Sequence, residues 1–489
     1  MQITFFIANF VETKASFKMK RPIYSILFLA IVAISAIVVF TCGEFSLFSE
    51  KPYSVKKGII HFAEPKRAKG QSSMLGFSAE PIEKVRVGII GVGMRGKGFA
   101  KRLTLIEGSE VVALCDIVQE NVDKTQKIIE EAGGQRAAEY VGEEAWKELC
   151  QRDDIDLVYI VTPWTLHTPM AVYAMEQGKH VAIEVPAATS VAECWQLVDT
   201  SERTRKHCMM LENCIYDHFE LTTLNMAQQG LFGEIIHGEG AYIHNLEEFW
   251  NEYQDNWRLK FNQTHRGDVY ATHGLGPICQ AMNIHRGDKM NYLVSMDTDS
   301  WVGKELAKES LGSEEFANGD HTTTLIRTER GKTIEIQHNV YTPRPYNRLH
   351  QLTGTKGFAN KYPVKGILLA LDEKSDIVPD HENLSAHKFL PEPIYNELME
   401  KYRHPIQREL MEVAKKVGGH GGMDFIMDSR LIYCLQKGLP LDEDVYDAAE
   451  WSCIGELSAT SIENNSMPVA VPDFTRGEWN KIKGVQFAK

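Results

Sequence analysis

Residues 85–103, VRVGIIGVGMRGKGFAKRL, run from a β-branched segment through a glycine turn into a helical pattern, and no other stretch restricts the fold as much. Gly91, Gly93 and Gly96 supply G-x-G-x-x-G in that strand-to-helix setting. The first glycine permits the tight turn, the second lets a pyrophosphate approach the backbone, and the third lets helix pack on strand, with the helix N-terminus facing the phosphates. A second β-branched run ends in Asp116, about 20 residues beyond the last glycine. A carboxylate there accepts ribose hydroxyls and repels a 2′-phosphate, so the expected cofactor is NAD rather than NADP.

The pattern then repeats. Helical residues 120–132 and 143–151 lead to a strand at 155–163, and helices at 167–177 and 191–206 alternate with strands at 179–186 and 208–216. This is an α/β arrangement, a doubly wound parallel sheet of Rossmann type over residues 84–213. Its strand carboxyl ends hold TPWTLH, EVP and ENCIY, where open sheets bind ligands. Beyond Asn213 the texture turns to alternation: EIIHGEGAYIHN, a hairpin from TTTLIRT to KTIEIQHNV across Glu329-Arg330-Gly331, then RLHQLTGTKGFA. Residues 214–489 read as an α+β substrate domain with a mostly antiparallel sheet and a C-terminal extension. A length of 489 residues suits two domains and a tail. The net charge of −13, without a long basic run, argues against a nucleic-acid partner. Nine cysteines without metal-ligand spacing give no expectation of a metal site or a disulfide framework.

The N-terminus departs from this composition. Residues 23–40 carry no charge and follow Lys18, Lys20 and Arg21, the layout of an export signal, for which Met19 is an alternative start to Met1. Cys42, in V-F-T-C-G, resembles a loose bacterial lipoprotein cleavage site. Residues 1–42 therefore end as a lipid anchor or persist as a membrane anchor, and either places the rest in the periplasm or at the cell surface. Residues 43–83, polar and mixed, read as a tether.

VGIIGVGMRG, the run from TPWTLH to EVPAA, and GLFGEIIHGEGAY together resemble the Gfo/Idh/MocA oxidoreductase superfamily across roughly residues 84–485. Most of its members carry E-K-P, whose lysine assists proton transfer at the sugar hydroxyl; here the tripeptide is Glu184-Val185-Pro186. That departure, with LENCIY, NWR, YATHGLGPI and the GGHGGMD run around His420 and Asp424, resembles glycoside hydrolase family 109, the NAD-dependent α-N-acetylgalactosaminidases. The resemblance implies a carbohydrate substrate and a recycled NAD: the sugar C3 hydroxyl is oxidised, the C2 proton becomes acidic, and its loss expels the glycosidic oxygen.

Such a cycle needs a base near C2 and a group for the C3 hydroxyl or water, not the paired carboxylates of ordinary glycosidases. Tyr216 is the candidate C2 base, which requires a pKa lowered by nearby cations, or else packs beneath the cofactor. His273 is the candidate for the C3 hydroxyl or water, on a helix beginning near Asp268. The resemblance nominates Tyr242, Arg258, Tyr270, Thr272, Tyr346 and Glu184 as sugar contacts, although Arg258 has an alternative partner in Asp255. It also carries Met94, Arg95, Asp116, Trp164, His167, Glu184, Val185 and Asn213 to the cofactor, with Arg95 at a phosphate or ribose. Three functional classes stay open: a hydrolase with recycled NAD, a sugar dehydrogenase or sugar-to-sugar oxidoreductase, and a silent sugar-binding relative. A homodimer through an exposed face of the second sheet is compatible with the pattern.

Overall fold

The computed structural model describes residues 51–370, 385 and 387–487, so the apolar run at 23–40 and Cys42 lie outside the described residues. Among the described residues no helix is long and apolar enough to cross a membrane.

The first described elements overturn the tether. β1 (Tyr53–Lys56) and β2 (Ile59–Phe62) form an antiparallel hairpin, turning at Lys57 and Gly58, whose φ angles are 52° and 77°. Two left-handed residues are the backbone that a two-residue hairpin turn requires. Alternation drives Ile60 and Phe62 inward, Ile60 completely. Further along, the Met74 N–H donates to the Tyr446 hydroxyl at 3.0 Å, and Arg67 forks onto the buried carboxylate of Glu202 at 3.0 Å through two nitrogens. The segment reads as polar because each strand is short and one face stays exposed, not because the chain is free.

The parallel sheet follows as expected. β3 (Val85–Ile90), β4 (Ser109–Asp116), β5 (Ala138–Val141), β6 (Leu157–Ile160), β7 (His180–Ile183) and β8 (Cys208–Met210) stand in the order β5-β4-β3-β6-β7-β8. β6 and β7 are buried at every position, as strands covered on both faces must be. The order reverses between β3 and β6, which opens a crevice outside their carboxyl ends. The turn after β3, TPWTLH after β6, Glu184 after β7 and residues 212–216 after β8 share that edge.

The second sheet has ten strands: β9 (Ile235–Ile243), β10 (Met290–Asp297), β11 (Thr322–Thr328), β12 (Thr333–Asn339), β13 (His350–Gly354), β14 (Gly357–Asn360), β15 (Gly366–Leu369) and β16 (Val469–Ala470) join the N-terminal hairpin in the order β1-β2-β16-β10-β11-β12-β9-β13-β14-β15. It is antiparallel except where β9 meets β12 and β2 meets β16. The helix Thr272–Ala281 lies on β9 with unusual closeness. A Cβ on Gly240 would overlap the carbonyl of Gly274, and one on Gly274 would stand 2.6 Å from the Ala241 nitrogen. Two glycines thus let backbone rest on backbone. The helix starts four residues later than Asp268, which is fully buried ahead of it.

If the hairpin is part of the core, Ile60→Ala will lower unfolding free energy by roughly 2–5 kcal/mol in a denaturant melt. A change within ~0.5 kcal/mol, the ordinary surface value, would restore the tether.

Candidate active site

The glycine turn fits a dinucleotide. Gly91 has φ 86° and its N–H donates to the Cys115 carbonyl at 2.8 Å, closing β3 onto β4. A Cβ on Gly96 would overlap the Gly91 carbonyl, whereas one on Gly93 would meet only Asn121, at 3.7 Å. Gly93 therefore faces space, a cleft of about 250 Å³ lined by Val92, Gly93, Met94, Lys97, Asn121, Lys124 and Glu252. No side chain caps the helix Gly96–Leu105, so no protein side chain stands where phosphate oxygens would meet its N-terminal end. Asp116 holds the turn: Oδ2 accepts from the Val92 N–H at 2.8 Å, and Oδ1 from the Val118 N–H at 2.9 Å and from Asn121 at 3.1 Å.

Moving along the crevice, Arg95 donates to Glu184 Oε1 at 3.0 and 3.1 Å and lies 4.0 Å from Asp424. Its guanidinium thus joins two carboxylates at the helix start. Glu184 Oε2 accepts from the N–H of the buried Val185 at 2.9 Å. Asn213 donates to Asp424 Oδ1 at 2.6 Å. His167 is fully buried, with its ring nitrogens 2.7 Å from the carbonyls of Pro186 and Thr162. It braces the strand ends instead of reaching a ligand.

On the substrate side the glycine contact sets His273 beside Tyr242, with ring centroids 5.3 Å apart. His273 Nδ1 donates to Glu212 Oε1 at 2.6 Å, and Glu212 is fully buried. Burial alone would raise Glu212, yet the His273 charge and the bonds from that ring and the Cys214 N–H hold it below the usual carboxylate range. Thr272 is also fully buried, close to Glu212. Tyr270 stacks on Trp164 at 5.4 Å and lies 4.8 Å from Tyr242, centroid to centroid. Arg258 sits against the faces of Trp164, Tyr253 and Tyr270, and donates to the Tyr253 hydroxyl at 2.8 Å. It makes no ion pair among the described residues, because Asp255 pairs with Lys260.

Tyr242 is 3.0 Å from His244 Nδ1. Burial pushes His244 down to about 4, helped by the charges of Arg258, Arg348, His273 and His420, so the neutral ring accepts from the Tyr242 hydroxyl. Burial raises Tyr242 as well, opposed by Arg258. Tyr346 is half-exposed, edge-on to His244 at 4.9 Å, at the rim.

Tyr216 is the main correction. It is fully buried and its hydroxyl donates at 3.3 Å to Asp442, which Arg430 grips at 2.8 Å through two nitrogens. Burial, then Asp442 and Glu443, push its pKa well up, opposite to what a base needs. Sequence reading also missed Glu212, His244 and the junction role of Asp424; the first lies next to Asn213 in LENCIY, and a carboxylate beside a cofactor residue was the available signal.

Residues 85–212 match the family model described as "Oxidoreductase family, NAD-binding Rossmann fold", and residues 216–481 match "Glycosyl hydrolase 109, C-terminal domain". The chain is 61% identical over 428 residues to glycosyl hydrolase family 109 protein 1 of Phocaeicola vulgatus, covering 87% of this chain and 91% of that protein. It is 61% identical over 433 residues to the glycosyl hydrolase family 109 protein of Porphyromonas gingivalis, covering 88% and 92%. Its fold resembles levoglucosan dehydrogenase in complex with NADH, with a TM-score of 0.61 at 17% identity over 80% of this chain and 100% of that one. It also resembles the WlbA dehydrogenase of Bordetella pertussis in complex with NADH and UDP-GlcNAcA, with a TM-score of 0.58 at 15% identity over 81% and 100%. The first domain is an NAD-binding Rossmann domain.

Asp268 supplies a pH signature. It is fully buried, its Oδ2 has no partner, and burial raises its pKa to about 7. A raised folded pKa gives stability that is complete below the unfolded value and is lost as pH rises through about 7. Asp268→Asn should therefore stabilise the fold at pH 8 by on the order of 1–3 kcal/mol and do little near pH 4. Equal effects in thermal melts at both pH values would count against a protonated Asp268.

Proposed function

Because the chain belongs to glycosyl hydrolase family 109 and carries an NAD-binding Rossmann domain, we propose that it is an exported enzyme removing terminal α-N-acetylgalactosamine from glycans through transient oxidation of the sugar at C3. The observation that carries this reading is the His273–Glu212 dyad, set against Tyr242, Tyr270 and Arg258 beside the cofactor crevice. NAD, which the glycine turn at Gly91–Gly96 and Asp116 would hold, would supply the reversible hydride acceptor for C3.

His273, oriented through Nδ1 by Glu212, takes the C3 hydroxyl proton at Nε2, the role a lysine fills in relatives with E-K-P. The resulting ketone makes the C2 proton acidic. Tyr242 takes that proton as its own hydroxyl proton passes to the neutral His244 ring 3.0 Å away, with Arg258 opposing the burial that raises this phenol. Arg258 stabilises the negative charge that develops on this side. Tyr270 and Tyr346 offer aromatic faces to the sugar. Water exclusion follows from burial: Tyr242, Arg258 and Tyr270 are each less than a tenth exposed. The export assignment is supported by Lys18, Lys20 and Arg21 ahead of the uncharged residues 23–40, and a redox-neutral cycle suits an enzyme without a cytoplasmic NAD supply.

Purified protein with no added NAD should release nitrophenol from an aryl α-N-acetylgalactosaminide while NADH absorbance stays flat. Absence of release, with NADH forming when NAD and free sugars are supplied, would instead support a sugar dehydrogenase. Within the hydrolase, Tyr242→Phe should lower kcat roughly 10²–10⁴-fold. Tyr216→Phe should keep kcat and cost about 1 kcal/mol of stability, read by steady-state kinetics and melts. The reverse pattern would return the base to Tyr216.

A further inference from the structure

The helix that carries His273 ends at Ala281, and the chain leaves it through a tight loop in which Asn283 and His285 both take positive φ, 60° and 43°. A non-glycine residue held at such an angle is strained, and the strain here aims one imidazole. His285 is fully buried. Its Nδ1 lies 2.7 Å from Glu450 Oε2, whereas Nε2 has no hydrogen-bond partner and stands 3.5 Å from Asp444 Oδ1 and 3.7 Å from Asp447 Oδ1. The two aspartates open the helix Val445–Ser452 as a capping box: Asp444 Oδ1 accepts from the Tyr446 N–H at 2.8 Å, and Asp447 Oδ2 from the Asp444 N–H at 2.9 Å. Both carboxylates are therefore held in position by backbone before any ligand arrives.

Charge in this cluster is out of balance. Asp444, Asp447 and Glu450 bring three negative charges, and Arg286, forked onto Asp447 at 2.6 and 2.9 Å, brings one positive, so a neutral His285 leaves an excess of two. Buried carboxylates in excess are costly unless a cation sits among them. The spacing is that of a metal cage, since ligands bound at about 2.1 Å and at the tetrahedral angle stand about 3.4 Å apart. Glu450 behind Nδ1 is the outer carboxylate that orients a metal-bound histidine and leaves its other nitrogen bare. We propose that His285 Nε2, Asp444 and Asp447 bind a divalent cation, zinc, whose two charges cancel the excess. One imidazole with two carboxylates suits zinc better than calcium or magnesium, which take oxygen ligands. Asp444 also borders a cavity of about 20 Å³, enough for one water. The ion joins the loop beyond the His273 helix to a helix packed on Val191–Thr204 and β8, so it clamps the substrate side to the parallel sheet away from the reacting atoms. Its ligands come from two segments far apart in sequence, and no short motif announces them.

The test needs no substrate. Purified protein, stripped with a chelator and equilibrated by dialysis with Zn²⁺, should retain one ion per chain, and its melting temperature should rise by about 3 °C or more when free Zn²⁺ is about 100-fold above its Kd. His285→Gln and Asp444→Asn, the second of which keeps an oxygen for the cap, should each lose the retained ion and the shift. Cys214→Ser serves as the control, because Cys214, Glu212 and His273 form the other group of metal-type donors among the described residues, and this variant should keep both. Wild-type protein that retains no Zn²⁺ and melts unchanged overturns the site, with or without foldable variants. So does an ion that survives Asp444→Asn and disappears in Cys214→Ser.

Discussion

The carbonyl of Gly274 occupies the place where any side chain of residue 240 would stand, and the rest of the site depends on that contact. A helix normally rides on a sheet at a distance set by side chains. Here two glycines remove them, so the first turn of Thr272–Ala281 drops onto β9 and His273 comes beside Tyr242. Glu212, arriving from the end of the parallel sheet, reaches the ring only because the helix sits that low. One backbone contact thus ties the sugar side to the cofactor side. Gly276 continues the same logic, since a Cβ there would press on Trp451 and Glu212 at 2.9 and 3.0 Å.

Charge organises the crevice in a second layer. Arg95, Arg102, Asn213 and His420 converge on Asp424, and Arg95 continues to Glu184. These groups come from the helix Gly96–Leu105, from the strand ends of the parallel sheet and from the loop ahead of the late helix, so the carboxylate acts as a junction between elements far apart in sequence. Arg258 is the opposite case: a buried cation held by aromatic faces and one phenol, with no acid among the described residues to neutralise it. A cation so placed is expensive unless a developing negative charge meets it.

Much of this was legible from residues alone. The glycine spacing, Asp116 and the alternation of apolar runs specified the parallel sheet, and the hairpin across Glu329-Arg330-Gly331 pairs β11 with β12 in the expected sense. What escaped were features decided by partners distant in sequence. Tyr216 looked like a base because it stands three residues beyond Asn213 after a strand, but Asp442 and Arg430, from the late part of the chain, enclose it. His167 looked like a ligand contact, yet two backbone carbonyls take its nitrogens. The polar residues 53–62 looked free because a two-stranded edge buries only alternate side chains. Local pattern reports periodicity; it does not report which distant chain arrives to cover a face.

The pairing of β2 with β16 has a consequence in time as well as space. Ile60 is among the first described residues to be made and Val469 among the last, yet they are neighbours in one sheet. While the chain is being synthesised the hairpin has no edge to join, and its apolar side chains wait until nearly the whole chain has emerged. Closing so long a loop is slow compared with local pairing. The described fold is thereby latched between an early and a late segment, and a chain stopped short of residue 469 would leave the hairpin unpaired at that edge.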